Sequence, residues 1–174
     1  MPKETFRALP LRVHSVLEGV PLRDVTVTDL PGGGPGRSVA DARALLDSAS
    51  RSRSVSALFA LRRSMGKLFG WDRVPGGSKG PFRTVYESET EGLVEARNAT
   101  VHAFLAFALE PTERGYRLYW AVYVEPVSWL TPVYMALIEP FRRFVVYPSL
   151  LGRVSDAWAE RYASAHTAHY IGPD

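Results

Sequence analysis

The sequence predicts a single α+β domain, and three observations carry that prediction. Four strand-like segments follow one another between Phe82 and Val127 with short turns between them. Helical periodicity flanks this block on both sides, and one isolated strand precedes the first helix. A run of consecutive strands bounded by helices is the order of an α+β architecture with an antiparallel meander. At 174 residues the chain falls in the size range of one domain, taken as residues 1–174.

The isolated strand is "DVTVTDL". Val25, Val27 and Asp29 fall on one face and Thr26, Thr28 and Leu30 on the other, the period-2 pattern of a strand. "PGGGPG" at 31–36 reads as a loop or sharp turn. No Gly-Lys-Ser/Thr follows it, so it is not a phosphate-binding loop of that type, and "GGSKG" at 76–80 fails the same test. Ser38 with Asp41 three residues on makes a capping-box variant, so a short helix is expected from there. A second helix is expected over "SVSALFALRRSMGKLFGW". There Val55, Leu58, Phe59, Met65, Leu68 and Phe69 recur at three- and four-residue spacing, and Gly70 supplies the C-cap.

The meander comprises "FRTVYESE", "LVEARN", "TVHAFLAFALE" and "GYRLYWAVYVE". Its turns are expected at "TEG", near Asn98–Ala99, and at "PTERG". Both faces of the last two strands are apolar or aromatic, so the sheet should be covered on one side and curved around something on the other. After Pro126 the period lengthens to that of a long helix, bent or broken at Pro132, Pro140 and Pro148. Beyond Pro148 its apolar face is carried by Leu150, Leu151, Val154 and Trp158, and residues 165–174 read as a flexible tail.

Composition excludes several classes of function. There is no cysteine, hence no disulfide, thiolate nucleophile or cysteine zinc site. Net charge is +3 with the arginines scattered, which argues against a nucleic-acid track. The N-terminus lacks an apolar h-region, and a cytoplasmic location is expected. The stretch "LTPVYMALIEPFRRFVVYPSL" at 130–150 has the length of a membrane span. Glu139, Arg142 and Arg143 lie near its centre, however, where each would cost about 2.5–3.5 kcal/mol. A core helix interrupted by proline is the better reading. No cofactor is expected, and no metal: His166 and His169 are three apart without a carboxylate pair beside them.

Three stretches resemble a known family. "ALFALRRSMGKLFGWD" at 57–72 is an arginine-bearing helix with a Leu-Phe-Gly turn. "ARNATVHAFLAFALE" at 96–110 places a histidine two residues before an aromatic. "VYVEPVSWLTPVYMALIEPFRRFVV" at 122–146 carries Tyr134 and Pro140-Phe141-Xaa-Arg143. With the element order, these make residues 55–158 similar to a bacterial family of unknown function in the START-like, helix-grip (SRPBCC) superfamily. Where that family often has histidine, Arg142 stands here, which puts any universal catalytic role of the position in doubt. The resemblance implies a curved antiparallel sheet wrapped around a proline-kinked C-terminal helix, with a cavity between them for a small hydrophobic or amphipathic ligand. It also implies a reductase-like partner on a separate chain, since no Gly-x-Gly-x-x-Gly is present.

Tyr86, His102, Phe104, Tyr119, Trp120, Tyr134 and Phe141 are the expected ligand-binding residues. His102 is read either as a polar contact in the cavity or as a histidine bonded to a neighbouring strand. Glu95, Arg97 and Glu87 are read as a cross-strand charge pair or as a buried carboxylate fit for acid–base work. The leading expectation is a non-catalytic binder. The alternatives are an enzyme on a hydrophobic, polyketide-like substrate using His102, Tyr119 or Glu95, and a membrane-surface or partner-binding module using Trp129, Tyr134 and Arg142–Arg143.

Overall fold

The computed structural model describes residues 2–50, 82–97, 101–127 and 147–162, together with Pro132, Ala136, Glu139 and Phe144. The helix expected over 54–71, the kink at Pro140 and the tail at 165–174 lie outside the described residues. In chain order the elements are α1 (Pro2–Ala8), α2 (Val13–Val16), β1 (Leu22–Pro31), α3 (Val39–Ser50), β2 (Phe82–Glu87), β3 (Glu91–Arg97), β4 (Val101–Thr112), β5 (Gly115–Pro126) and α4 (Tyr147–Tyr162). The five strands form one antiparallel sheet in the order β1-β5-β4-β3-β2. This is an α+β fold with an open sheet and a C-terminal helix.

The β4–β5 hairpin turns at Glu113–Arg114, within the expected "PTERG" segment, with β4 running on through Pro111 and Thr112. Gly115 follows at φ +142, where a Cβ would collide with the Leu30 carbonyl oxygen. Only glycine lets β1 and the hairpin approach this closely. Register then runs without a break from Thr112↔Gly115 to Val101↔Pro126.

The sheet separates two apolar layers. Leu30, Val94, Phe107, Leu109, Leu118, Val122 and Val124 face α3 and α4. Val25, Leu93, Ala106, Ala108, Tyr119, Ala121 and Tyr123 face α1 and α2, through Phe6, Val13 and Leu17. The described part of the C-terminal helix starts at Tyr147, with Pro148 in its first turn, where the missing N–H costs little. It buries Leu150, Leu151, Val154 and Trp158, the face expected from the sequence, and adds Tyr147 and Tyr162.

The capping at Ser38 is present: the Asp41 carboxylate accepts from the Ser38 N–H (3.0 Å) and hydroxyl (3.3 Å). The same carboxylate accepts from the Tyr162 hydroxyl at 3.2 Å, tying the end of α4 to the start of α3. Helices α1 and α2 were not anticipated. Both are too short to persist alone. Glu91 holds them by accepting from the Arg12 N–H (3.0 Å) and Val13 N–H (3.4 Å) at the start of α2, while Phe6 is fully buried. Among the described residues no helix is long and apolar enough to cross a membrane.

Candidate functional site

Adjacent strand residues point to opposite faces, and that rule divides the expected ligand-binding set. Trp120 lies on the face towards α4, within 5.9 Å of the Tyr147 ring and 5.3 Å of the Phe107 ring. Tyr119, Tyr86 and Phe104 lie on the other face, in the layer sealed by α1 and α2. His102 shares that second face through its strand parity with Phe104, and its ring lies 4.5 Å from the Phe104 ring. Tyr134 and Phe141 lie outside the described residues. The structure therefore brings Tyr86, His102, Phe104 and Tyr119 to one side of the sheet and Trp120 to the other.

Around Trp120 the α4-facing surface is apolar and incompletely covered. Ala103, Leu105 and Trp120 are half-buried and pack against the buried cluster that includes Val94, Val122 and Val124. The Trp120 indole Nε1 is out of contact with solvent and has no hydrogen-bond acceptor among the described residues. A buried donor left unpaired costs about 1–3 kcal/mol. The Trp158 indole Nε1 is in the same state, but its ring is fully buried, wedged between Tyr116 (5.8 Å) and Tyr162 (4.7 Å). A Cβ on Gly33 would stand 3.1 Å from that ring, so the space over Trp158 is already filled by backbone.

His102 bridges two strands. Its Nε2 lies 2.7 Å from Glu95 Oε1 and its Nδ1 2.7 Å from Glu125 Oε2. Ionised carboxylates only accept, so both contacts are hydrogen bonds when each ring nitrogen carries a proton, and the ring is then an imidazolium between two carboxylates. Arg83 Nε donates to the second Glu95 oxygen at 2.8 Å. Burial pushes the Glu95 pKa up, but the bonds from Arg83 and His102 and their positive charge outweigh it, and the net shift is downward. With both ring nitrogens engaged, His102 serves as a cross-strand tie here, the second of the two roles its sequence context allowed. Glu87 pairs with Arg43 of α3 rather than with Glu95 or Arg97.

The tyrosines of this second face are also held. The Tyr119 hydroxyl donates to Glu110 at 2.9 Å and the Tyr86 hydroxyl to Glu91 at 3.1 Å. Burial first, then the carboxylate beside each, raises both phenol pKa values. His14 Nε2–H donates to the Phe6 carbonyl at 3.0 Å, leaving Nδ1 to accept from Tyr123 at 3.4 Å.

Sequence reasoning missed Phe107, Tyr147, Glu125 and Arg83 as neighbours of the expected residues. Counting register outward from a turn at Glu113–Arg114 would have set Trp120 opposite Phe107 and His102 opposite Glu125. No local signal placed Tyr147 over Trp120. Among the described residues, no three histidine or acidic side chains gather in a form that could hold a metal ion. Phe144 is the most exposed large apolar side chain described, at 74%.

A groove of about 400 Å³ opens along β1, lined by Asp24 to Thr28 on one side and by Tyr147, Pro148, Leu151 and Gly152 of α4 on the other. Its lining is mixed, with Asp24, Thr26 and Thr28 beside Val25, Val27, Tyr147, Pro148 and Leu151.

No curated protein matches the sequence. Among solved structures, norcoclaurine synthase from Thalictrum flavum aligns with 10% identity and a TM-score of 0.36, covering 88% of this chain and 95% of that one. The profile of one family matches residues 16–149, spanning β1 to β5, the meander and the start of α4. By that match the chain belongs to the family described as protein of unknown function (DUF2867).

Proposed function

We propose that the protein binds a small amphipathic molecule between the α4-facing surface of the sheet and the C-terminal helix, and that Trp120 is its polar anchor. The observation that carries this reading is the Trp120 indole N–H, buried and without an acceptor among the described residues, at the centre of a half-covered apolar surface. Ligand pockets are mostly apolar, with a few placed polar groups that fix orientation. An apolar body resting on Ala103, Leu105 and Phe107, with one acceptor reaching Trp120 Nε1, satisfies both features. The resemblance to helix-grip proteins supports the same location. Tyr134 and Phe141 belong to this proposal as further candidates for the lining.

Native mass spectrometry of the purified protein, followed by denaturation and solvent extraction, tests it directly. A co-purifying molecule with an apolar body and a hydrogen-bond acceptor is expected. Trp120→Phe keeps the ring surface and removes the donor, and is expected to weaken retention of that molecule about five- to thirtyfold. Undiminished retention in Trp120→Phe, with the fold intact by circular dichroism, would remove Trp120 as the anchor.

A further inference from the structure

We propose that the polar end of the ligand carries hydroxyl groups and no charge, and that it lies in the groove between β1 and α4; this rests on the reading that Trp120 is the ligand's anchor. From Asp24 onward, the even-numbered residues of β1 share the α4-facing side of the sheet with their partners on β5. Asp24 stands opposite Val122, Thr26 opposite Trp120 and Thr28 opposite Leu118. On β3, β4 and β5 that side is apolar, through Val94, Phe107, Leu118 and Val122. On β1 the same side is polar at these three successive positions, all of them half-buried. A face that turns from apolar to polar within one sheet orients an amphipathic molecule across it.

The groove adjoins the Trp120 surface. Ser155 donates to the Asp29 carbonyl at 3.0 Å and ties α4 to β1. The groove, about 400 Å³ in volume, lies on the N-terminal side of this tie along both elements, between residues 24–28 and the first turns of α4. Tyr147 belongs to both places: it forms part of the groove wall, and its ring lies 5.9 Å from the Trp120 ring. Opposed residues of antiparallel strands stand about 5 Å apart at Cα, so one head group can reach Thr26 and Trp120 together. Gly152 completes the wall. A Cβ there would meet nothing within 4 Å, so packing does not demand glycine at this helical position, and the missing side chain leaves the groove wider.

The mixed chemistry of the lining selects the head group. Asp24 brings a carboxylate, which only accepts, and Trp120 an indole N–H, which only donates. Thr26 and Thr28 bring hydroxyls, which do both. A carboxylate head only accepts and would lie against the charge of Asp24. An ammonium head only donates and leaves the Trp120 N–H unmet. Hydroxyl groups donate to Asp24, accept from Trp120 and do either with the threonines, while their carbon skeleton packs on Pro148 and Leu151. The apolar body of the same molecule continues past Trp120 over Leu105 and Ala103.

Isothermal titration calorimetry of the full chain with octyl glucoside, octanoate and octylamine, each below its micelle concentration, tests the proposal. The three share one apolar chain and differ in head group. The glucoside is expected to bind at least about tenfold tighter than either charged compound. It should also move the Trp120 indole N–H resonance, which is assigned by its loss in Trp120→Phe. Thr26→Val combined with Thr28→Val keeps the β-branched shape that suits a strand and should abolish the preference for the glucoside. Gly152→Leu should fill the groove and weaken the glucoside about tenfold without lowering the melting temperature. Equal affinity for the three heads overturns the proposal, as does a glucoside that fails to bind or a preference that survives both sets of substitutions. The anchor reading falls separately: octanoate or octylamine moving the Trp120 resonance retains it, and a resonance that none of the three moves removes both. If the threonine double variant fails to fold by circular dichroism, Gly152→Leu decides.

Discussion

At the scale of single residues, the structure turns suggestive side chains into ties between strands. Glu95 was legible as a charge on β3, but its partners come from β2 and β4, reached by register rather than by neighbourhood in sequence. Its pKa in the fold is held below the ordinary value of 4.5, and that of Asp41 below 3.8. For a carboxyl whose folded pKa is depressed, the stability it contributes is complete above the unfolded pKa and is lost as pH falls through the folded one. Thermal stability is therefore expected to decline on acidification below about pH 4.5, the ordinary value for glutamate. Glu95→Gln should melt lower than the parent at neutral pH and flatten the acid side of the profile. Melting curves from about pH 3 to pH 7 check this, and parallel profiles for the two proteins would show that Glu95 carries none of the dependence.

Individual elements depend on partners distant in sequence. Helices α1 and α2 lack the length for independent stability, and their order comes from Phe6 in the layer under Tyr119 and from Glu91 at the start of α2. Glu91→Ala removes the acceptor of Arg12 N–H, Val13 N–H and the Tyr86 hydroxyl together. A loss of about 1–2 kcal/mol is expected, concentrated in residues 2–17. Hydrogen exchange should show faster exchange there and unchanged protection in β4 and β5. A uniform loss across the sheet would mean that the N-terminal segment is not a separable unit.

On the scale of the whole molecule, one contact joins loop, helix and sheet. Gly33, at φ +99 in the loop after β1, rests on the Trp158 ring of α4, while Tyr116 of β5 packs on the same ring and donates to the Gly34 carbonyl. Arg37 lies 4.1 Å over the Tyr162 ring and donates to the Gly33 carbonyl, closing the loop onto the helix. Gly33→Ala adds a Cβ 3.1 Å from the indole and puts alanine at a backbone angle that L side chains avoid. A cost of about 1–3 kcal/mol follows. For a domain of this size that lowers the melting temperature by roughly 3–10 °C, as one cooperative transition by calorimetry. An unchanged melting temperature would mean that the loop can shift off Trp158 at no cost.

Much of this fold was readable along the chain. The meander, the alternation along β4 and β5, the cap at Ser38 and the buried face of the last helix are all periodic or short-range signals, and each is written within a few residues. The parity of Tyr119 and Trp120 was readable too, and it already implied that one cavity could not take both. Long-range packing settled the rest. It decided which face of the sheet receives α3 and α4 and which receives α1 and α2, and it turned "PGGGPG" from a loop signal into the seat of Trp158. It also left Trp120 Nε1 without an acceptor among the described residues, on the side where α4 lies. A side-chain period specifies that a face is apolar, but not what will cover it. That choice depends on contacts between segments far apart in sequence.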